Sequence, residues 1–180
     1  MKPPRVPRFL APLVLSALLV ALPAVGHQLI GRVVSVADGD TITVLGAAQR
    51  QTKVRLSGID APEKKQPYGT RAKQNLAELV FGKVVYVDWE KHDRYGRIIG
   101  VVLAPEASCA AVDCAKTVDA GLAQLSAGFA WHYKQYAKEQ PRTERKRYAA
   151  AEHEAHLNRV GLWEDPNPVP PWQWRLSRRH

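Results

Sequence analysis

Cysteine is scarce, with Cys109 and Cys114 the only two in 180 residues. A thiolate zinc centre needs four ligands, and nothing nearby obviously supplies the missing cysteines or histidines. The pair reads better as a disulfide closing a short loop in an oxidising compartment. Long apolar runs are missing too: the run 9–22 contains Pro12, ends before Pro23 and falls short of the ~20 residues that a membrane span requires. No internal repeat is present, which sets aside solenoids and propellers. Acidic residues are outnumbered 17 to 26, giving a formal charge of +9 and a pI near 9.8. Such a surface suits a polyanion, either nucleic acid or an anionic membrane.

Lys2, Arg5 and Arg8 precede the apolar run, and Ala24-Val25-Gly26 supplies the small residues that an export peptidase reads. We expect residues 1–26 to be a cleaved leader and the mature chain to start near His27; the alternative is an uncleaved anchor. No Arg-Arg pair marks the leader for folded export, so the chain is expected to cross unfolded and to act in the periplasm or outside the cell. Most of the cations lie beyond residue 26, and the basic character therefore belongs to the mature domain. With 46% hydrophobic residues, that part can build one core.

Alternation of apolar residues predicts strands over 29–36, 41–45 and 52–59, forming a three-stranded meander. Its first turn is Asp38-Gly39-Asp40, where glycine accepts backbone angles that other residues resist. Ala72, Leu76, Leu79 and Val80 then share one helical face, and Gly82 stops that helix. Residues 83–90 and 98–103 read as two further strands around a charged turn, 92–97. Residues 104–116 form an insertion tied by the cysteines. Val118, Leu122, Leu125 and Phe129 predict a second helix, and 141–159 a third. The proline- and tryptophan-rich tail, 165–180, is expected to be extended and to pack by its aromatics. Five strands with a helix between the third and fourth match an α+β OB-fold barrel with three helices, over 27–164.

Asp38, Asp40, Asp60 and Glu63 crowd into one segment together with Arg55. Like charges repel unless a cation or solvent intervenes, so packing alone explains the cluster poorly. Carboxylates without a neighbouring thiol or imidazole suit a hard divalent cation. Arg55 and Arg97 present planar forks that match phosphate oxygens. Glu63, three residues after Asp60, suits a general base that takes a proton from water. Taken singly, each motif also reads as hairpin punctuation or as a solvated strand residue. His153 and His156, flanked by glutamates, read as solvated, and residues 142–147 as either a solvated face or an electrostatic track.

The turn Asp38-Gly39-Asp40-Thr41, Arg55, Asp60-Ala61-Pro62-Glu63, Tyr68-Gly69, Asp93-Arg94-Tyr95-Gly96-Arg97 and Gly128-Phe129-Ala130-Trp131 occur in that order. Together they resemble the staphylococcal nuclease (thermonuclease) family over about residues 29–163. The resemblance implies a calcium-dependent (Ca2+) nuclease that hydrolyses DNA and RNA by water attack and leaves 3′-phosphate ends, and we expect it to act as a monomer. It further implies Asp40 and Asp60 as carboxylate ligands, Ala61 as a carbonyl ligand, and Glu63 as the base or water-orienting group. Arg55 and Arg97 would clamp the reacting phosphate, with Asp38 behind the ligands. Arg94 and Tyr95 would meet a neighbouring phosphate. Tyr133 would contact base or sugar, a role shared with Trp131 unless that ring belongs to the core. Ala61 replaces a threonine and Arg94 a lysine of the best-known member. The competing classes are a non-catalytic OB-fold binder of nucleic acid and an envelope-binding domain.

Overall fold

A computed structural model describes residues 27–109 and 114–178, so the leader expected over 1–26 lies outside the described residues. Strands β1 (His27–Val36) and β2 (Thr41–Leu45) form the first hairpin, and β3 (Gln51–Leu56) pairs antiparallel with β2. Ile42 with Val44 and Val54 with Leu56 are buried two apart, as alternation requires of a sheet with one apolar face, whereas the buried Val33 and Val36 of β1 are three apart across a bulge between Val33 and Ser35. The third strand stops earlier than residue 59. Gly58 takes φ +74°, and the short strand β4 (Ile59–Asp60) follows as a separate piece.

Helix α1 (Gly69–Val80) buries Ala72, Leu76 and Val80, with Leu79 partly covered at its margin. Strands β5 (Val84–His92) and β6 (Ile98–Pro105) then return to the sheet, β5 pairing with both β1 and β6. Strand β6 also runs parallel to β3, with Val54, Arg55 and Leu56 opposite Ile98, Ile99 and Gly100. That pairing closes β1, β2, β3, β5 and β6 into a mixed barrel. With one helix between its third and fourth strands, the architecture is the α+β OB-fold arrangement.

The second half departs more from the sequence reading. Val118 lies in a strand, β7 (Lys116–Asp119), which extends the sheet beside β6. Helix α2 (Ala120–Ser126) begins only after Asp119, whose carboxylate accepts a hydrogen bond from Leu122 N at 3.0 Å. Such a cap fixes a helix start whatever the apolar spacing before it. Gly128, at φ +69°, falls before Phe129, which therefore lies beyond the helix.

Asp119 also accepts from the hydroxyl of Tyr148 at 3.0 Å, and Tyr148 is fully buried. Burial, and then the charge of Asp119, push that hydroxyl above the ordinary tyrosine range. Tyr148 lies on α3 (Arg142–Leu157), with Ala151 and Ala155 on the same buried stripe. Before α3, the short strand β8 (Trp131–His132) pairs with β4 and sets Trp131 opposite Asp60.

The tail is not extended throughout. Pro171 opens a fourth helix, α4 (Pro171–Ser177), where a fixed φ and a missing N–H cost nothing. The chain thus has four α-helices among its described residues, and Trp172 packs by its ring as expected. Cys109 and Cys114 are joined in a disulfide with Cα atoms 6.1 Å apart. Among the described residues, no helix is long and apolar enough to cross a membrane.

Candidate active site

The β1–β2 turn is held from beneath by helices. Gln124, fully buried on α2, donates through Nε2 to Gly39 O at 2.6 Å and to Ala72 O at 3.0 Å. Gly39 is required for room rather than for its backbone angle, which is not left-handed. A Cβ there would lie 2.7 Å from the methyl groups of both Ala61 and Ala72. This tight seat aims Asp40 inward. Its carboxylate accepts from Thr41 Oγ1 at 2.9 Å, Ala61 N at 3.0 Å and Arg55 Nη1 at 2.9 Å. Asp38 accepts from Asp40 N at 3.1 Å, and burial together with the Asp40 charge raises its pKa to about 6.

Arg55 stands between two buried acids. From β3, Nη1 reaches Asp40 and Nη2 reaches Asp60 Oδ1 at 2.9 Å, while the arginine side chain keeps 17% exposure. Burial pulls its pKa down, but the charges of Asp40 and Asp60 outweigh that and hold it above the ordinary arginine value. The fork therefore fixes the separation of two carboxylates that lie twenty positions apart in sequence. Glu63 follows on a loop whose backbone is pressed against Gly69, where a Cβ would collide with Glu63 O. The loop is pinned further by Glu63 N donating to Gln66 Oε1 at 3.1 Å.

Arg97 comes from the β5–β6 turn, and Asp93 shapes that turn. One Asp93 oxygen accepts from the backbone N–H groups of Tyr95 at 2.8 Å and Arg97 at 3.0 Å; the other accepts from Arg97 Nε at 2.7 Å. Burial raises the Asp93 pKa, but these bonds from Arg97 and Tyr95 more than reverse it. Because β3 and β6 run parallel, Arg97 arrives beside Thr41, at 3.5 Å from Nη1 to Oγ1. Arg94 and Arg97 both lie over the exposed ring of Tyr95, at 4.9 and 5.5 Å.

Asp40, Arg55, Glu63, Arg94, Tyr95, Arg97 and Tyr133 all line one open cleft of about 1510 Å³, with Asp38 and Ala61 at its floor. Asp60, fully buried, meets that cleft through its partners Arg55 and Arg175. Tyr133 is placed by β8, and its N–H donates to Gly58 O at 2.8 Å. Trp131 is only 6% exposed and meets Trp163 edge-on at 5.5 Å, and it also lines the cleft. The disulfide is absent from the lining of the cleft. The exposed His153 and His156, on α3, do line it.

Two participants were missed from sequence. Gln124 carries no motif and acts through the turn that it anchors. Arg175, on α4, donates from Nη1 to Glu63 Oε1 at 2.8 Å and Asp60 Oδ1 at 3.1 Å, and from Nη2 to Asp60 Oδ2 at 2.8 Å. Those bonds to Asp60 raise its pKa above the ordinary arginine value. The signal available for Arg175 was a cation following tryptophans in a tail that nevertheless packs back on the barrel.

Among the described residues, no group of three or more acidic, histidine or cysteine side chains is arranged as a metal cage. The donor set still fits a hard cation. Two buried carboxylates converge on one shared guanidinium, that of Arg55, which shows that their oxygens already gather positive charge at one place. Asp40, Asp60 and the Ala61 carbonyl are the groups that would hold a metal there.

Residues 53–165 match the family model described as staphylococcal nuclease homologue. The chain belongs to the staphylococcal nuclease family. A relative from Shigella flexneri named micrococcal nuclease is 43% identical over 164 residues, covering 91% of this chain and 89% of its own. An uncharacterized endonuclease of Escherichia coli is 39% identical over 164 residues, covering 91% and 95%. A staphylococcal-like nuclease of Arabidopsis thaliana is 38% identical over 130 residues, covering 72% of this chain and 35% of its own. The chemistry that goes with this family is hydrolytic cleavage by a nuclease, a phosphodiesterase, and the family is generally metal-dependent.

Proposed function

We propose that this member of the family is an exported, monomeric, calcium-dependent nuclease that cleaves DNA and RNA by water attack and leaves 3′-phosphate ends. The observation that carries the reading is Arg55 held between buried Asp40 and Asp60, in one cleft with Glu63 and Arg97. Ca2+ on Asp40, Asp60 and the Ala61 carbonyl would supply Lewis-acid charge to the reacting phosphate. Glu63 accepts the proton of the attacking water. Arg55 and Arg97 meet the second negative charge that the phosphodiester acquires as the nucleophile adds. Arg94 and Tyr95, on the exposed rim, contact the next phosphate, while Tyr133 offers its ring to a base or sugar. Residues 1–26 are the leader, 27–164 the catalytic domain and 165–180 the tail.

The test is to incubate the mature chain with single-stranded DNA and with RNA, first with Ca2+ and then with excess chelator, and to identify the product ends. Cleavage of both polymers to 3′-phosphate ends, lost in chelator, is expected. Cleavage that persists undiminished in chelator refutes the metal role, and 3′-hydroxyl ends refute the proposed bond polarity.

A further inference from the structure

Helix α4 covers two parts of the cleft at once. Three residues before Arg175, Trp172 stacks on Tyr133 with ring centroids 5.9 Å apart at 18°, and it meets Trp131 edge-on at 6.3 Å. A hard divalent cation takes carboxylate oxygens at about 2.3–2.6 Å. Both oxygens of Asp60, and Oε1 of Glu63, instead accept from the Arg175 guanidinium. A cation at the same oxygens would face a full positive charge at contact distance, and in a partly buried site that repulsion is weakly screened. The Tyr133 face that would receive a base already carries an indole, which matches a base in size and flatness.

The attachment of α4 is built to release. The helix has seven residues, too few to persist alone in water. Gln173, Ser177 and Arg178 are exposed, as is Leu176 where it lines the cleft, while Pro171 is buried and Gln66 Nε2 donates to Val169 O at 2.5 Å. Residues 169–171 thus hold the start of the helix independently of the contacts that Trp172 and Arg175 make in the cleft. Pro166, Pro168 and Pro170 keep the connection stiff and short, so a displaced α4 stays near the site.

We propose that α4 is a built-in plug: Arg175 stands in for the metal at Asp60 and Glu63, and Trp172 stands in for a nucleobase on Tyr133. Ca2+ and a single nucleic-acid strand displace the two contacts together, so either ligand eases binding of the other. The plug rests on the calcium-dependent reading of the same site.

The experiment is Ca2+ titration of the full chain by calorimetry without nucleic acid, together with hydrogen exchange of the amides in 171–178. In the wild type, saturating Ca2+ should speed exchange across 171–178. In Arg175→Ala, Ca2+ should bind more tightly by on the order of tenfold or more, the scale of one lost charge-assisted contact. Trp172→Ala should bind a non-cleavable single-stranded oligonucleotide more tightly than the wild type. Unchanged or weaker Ca2+ binding in a folded Arg175→Ala overturns the plug, as does protection of 171–178 that Ca2+ leaves untouched. Asp60→Ala binding Ca2+ as the wild type does removes the metal reading itself, and the plug with it.

Discussion

Arg55 and Arg175 bond the same buried carboxylate, yet they belong to very different parts of the molecule. Arg55 is rooted in the middle of a closed barrel, between Thr41 on β2 and Ile99 on β6, with 17% of its side chain exposed. Arg175 sits on a short terminal helix and keeps 36% exposure. Similar hydrogen bonds therefore carry different consequences. The barrel arginine sets where the acids stand, whereas the tail arginine only occupies what the barrel has already shaped.

The largest expected effect separates these two roles. Arg55→Ala leaves Asp40 and Asp60 buried without their shared cation, which should cost about 3–5 kcal/mol in urea unfolding. A loss within ~1 kcal/mol would mean that the acids find other partners and that Arg55 does not organise the floor. Next come Glu63→Gln and Arg97→Ala, each expected to lower turnover on single-stranded DNA by about 10² or more with the fold retained. Wild-type rates in either variant would remove that residue from the chemistry.

Away from the site, Tyr148→Phe should cost about 1–2 kcal/mol by withdrawing the donor that faces Asp119. The pH dependence has a definite sign. Because the folded pKa of Tyr148 lies above its unfolded value, its contribution is complete below about pH 10 and is lost as pH rises further. Melting temperature followed from pH 8 to 11 should fall less steeply in Tyr148→Phe. The smallest stability change is expected for Arg175→Ala, within ~1 kcal/mol, because Asp60 keeps its bond from Arg55 when the half-exposed tail arginine is removed. A loss as large as that of Arg55→Ala would erase the distinction between floor and plug.

What could be read from the sequence follows the same division. Alternating Val and Ile with turn residues located β1, β2, β3, β5 and β6 because a closed barrel has one buried face and a period of two. Arg55 was recognisable from its place on β3, and Asp40 and Asp60 because they punctuate strand ends, in the turn before β2 and at the end of the short β4. The start of α2 was not, since the Asp119 cap overrode an apolar spacing that continued back to Val118. Gln124 was hidden because a buried amide that holds a turn leaves no pattern in its neighbours. The α4 contacts were hidden because sequence shows a Pro-Trp tail but not the distant surface, Tyr133 and Asp60, that it returns to.

The central claim, that a cation bound at the Asp40–Asp60 floor drives hydrolysis, is tested most directly by the Ca2+ dependence of single-stranded DNA cleavage in Asp40→Asn beside the wild type. Asparagine keeps the size and the bond from Ala61 N but removes the charge. The predicted result is a half-saturating Ca2+ concentration raised by at least about tenfold, with an unchanged circular dichroism spectrum. An identical Ca2+ dependence in the two proteins would contradict the account.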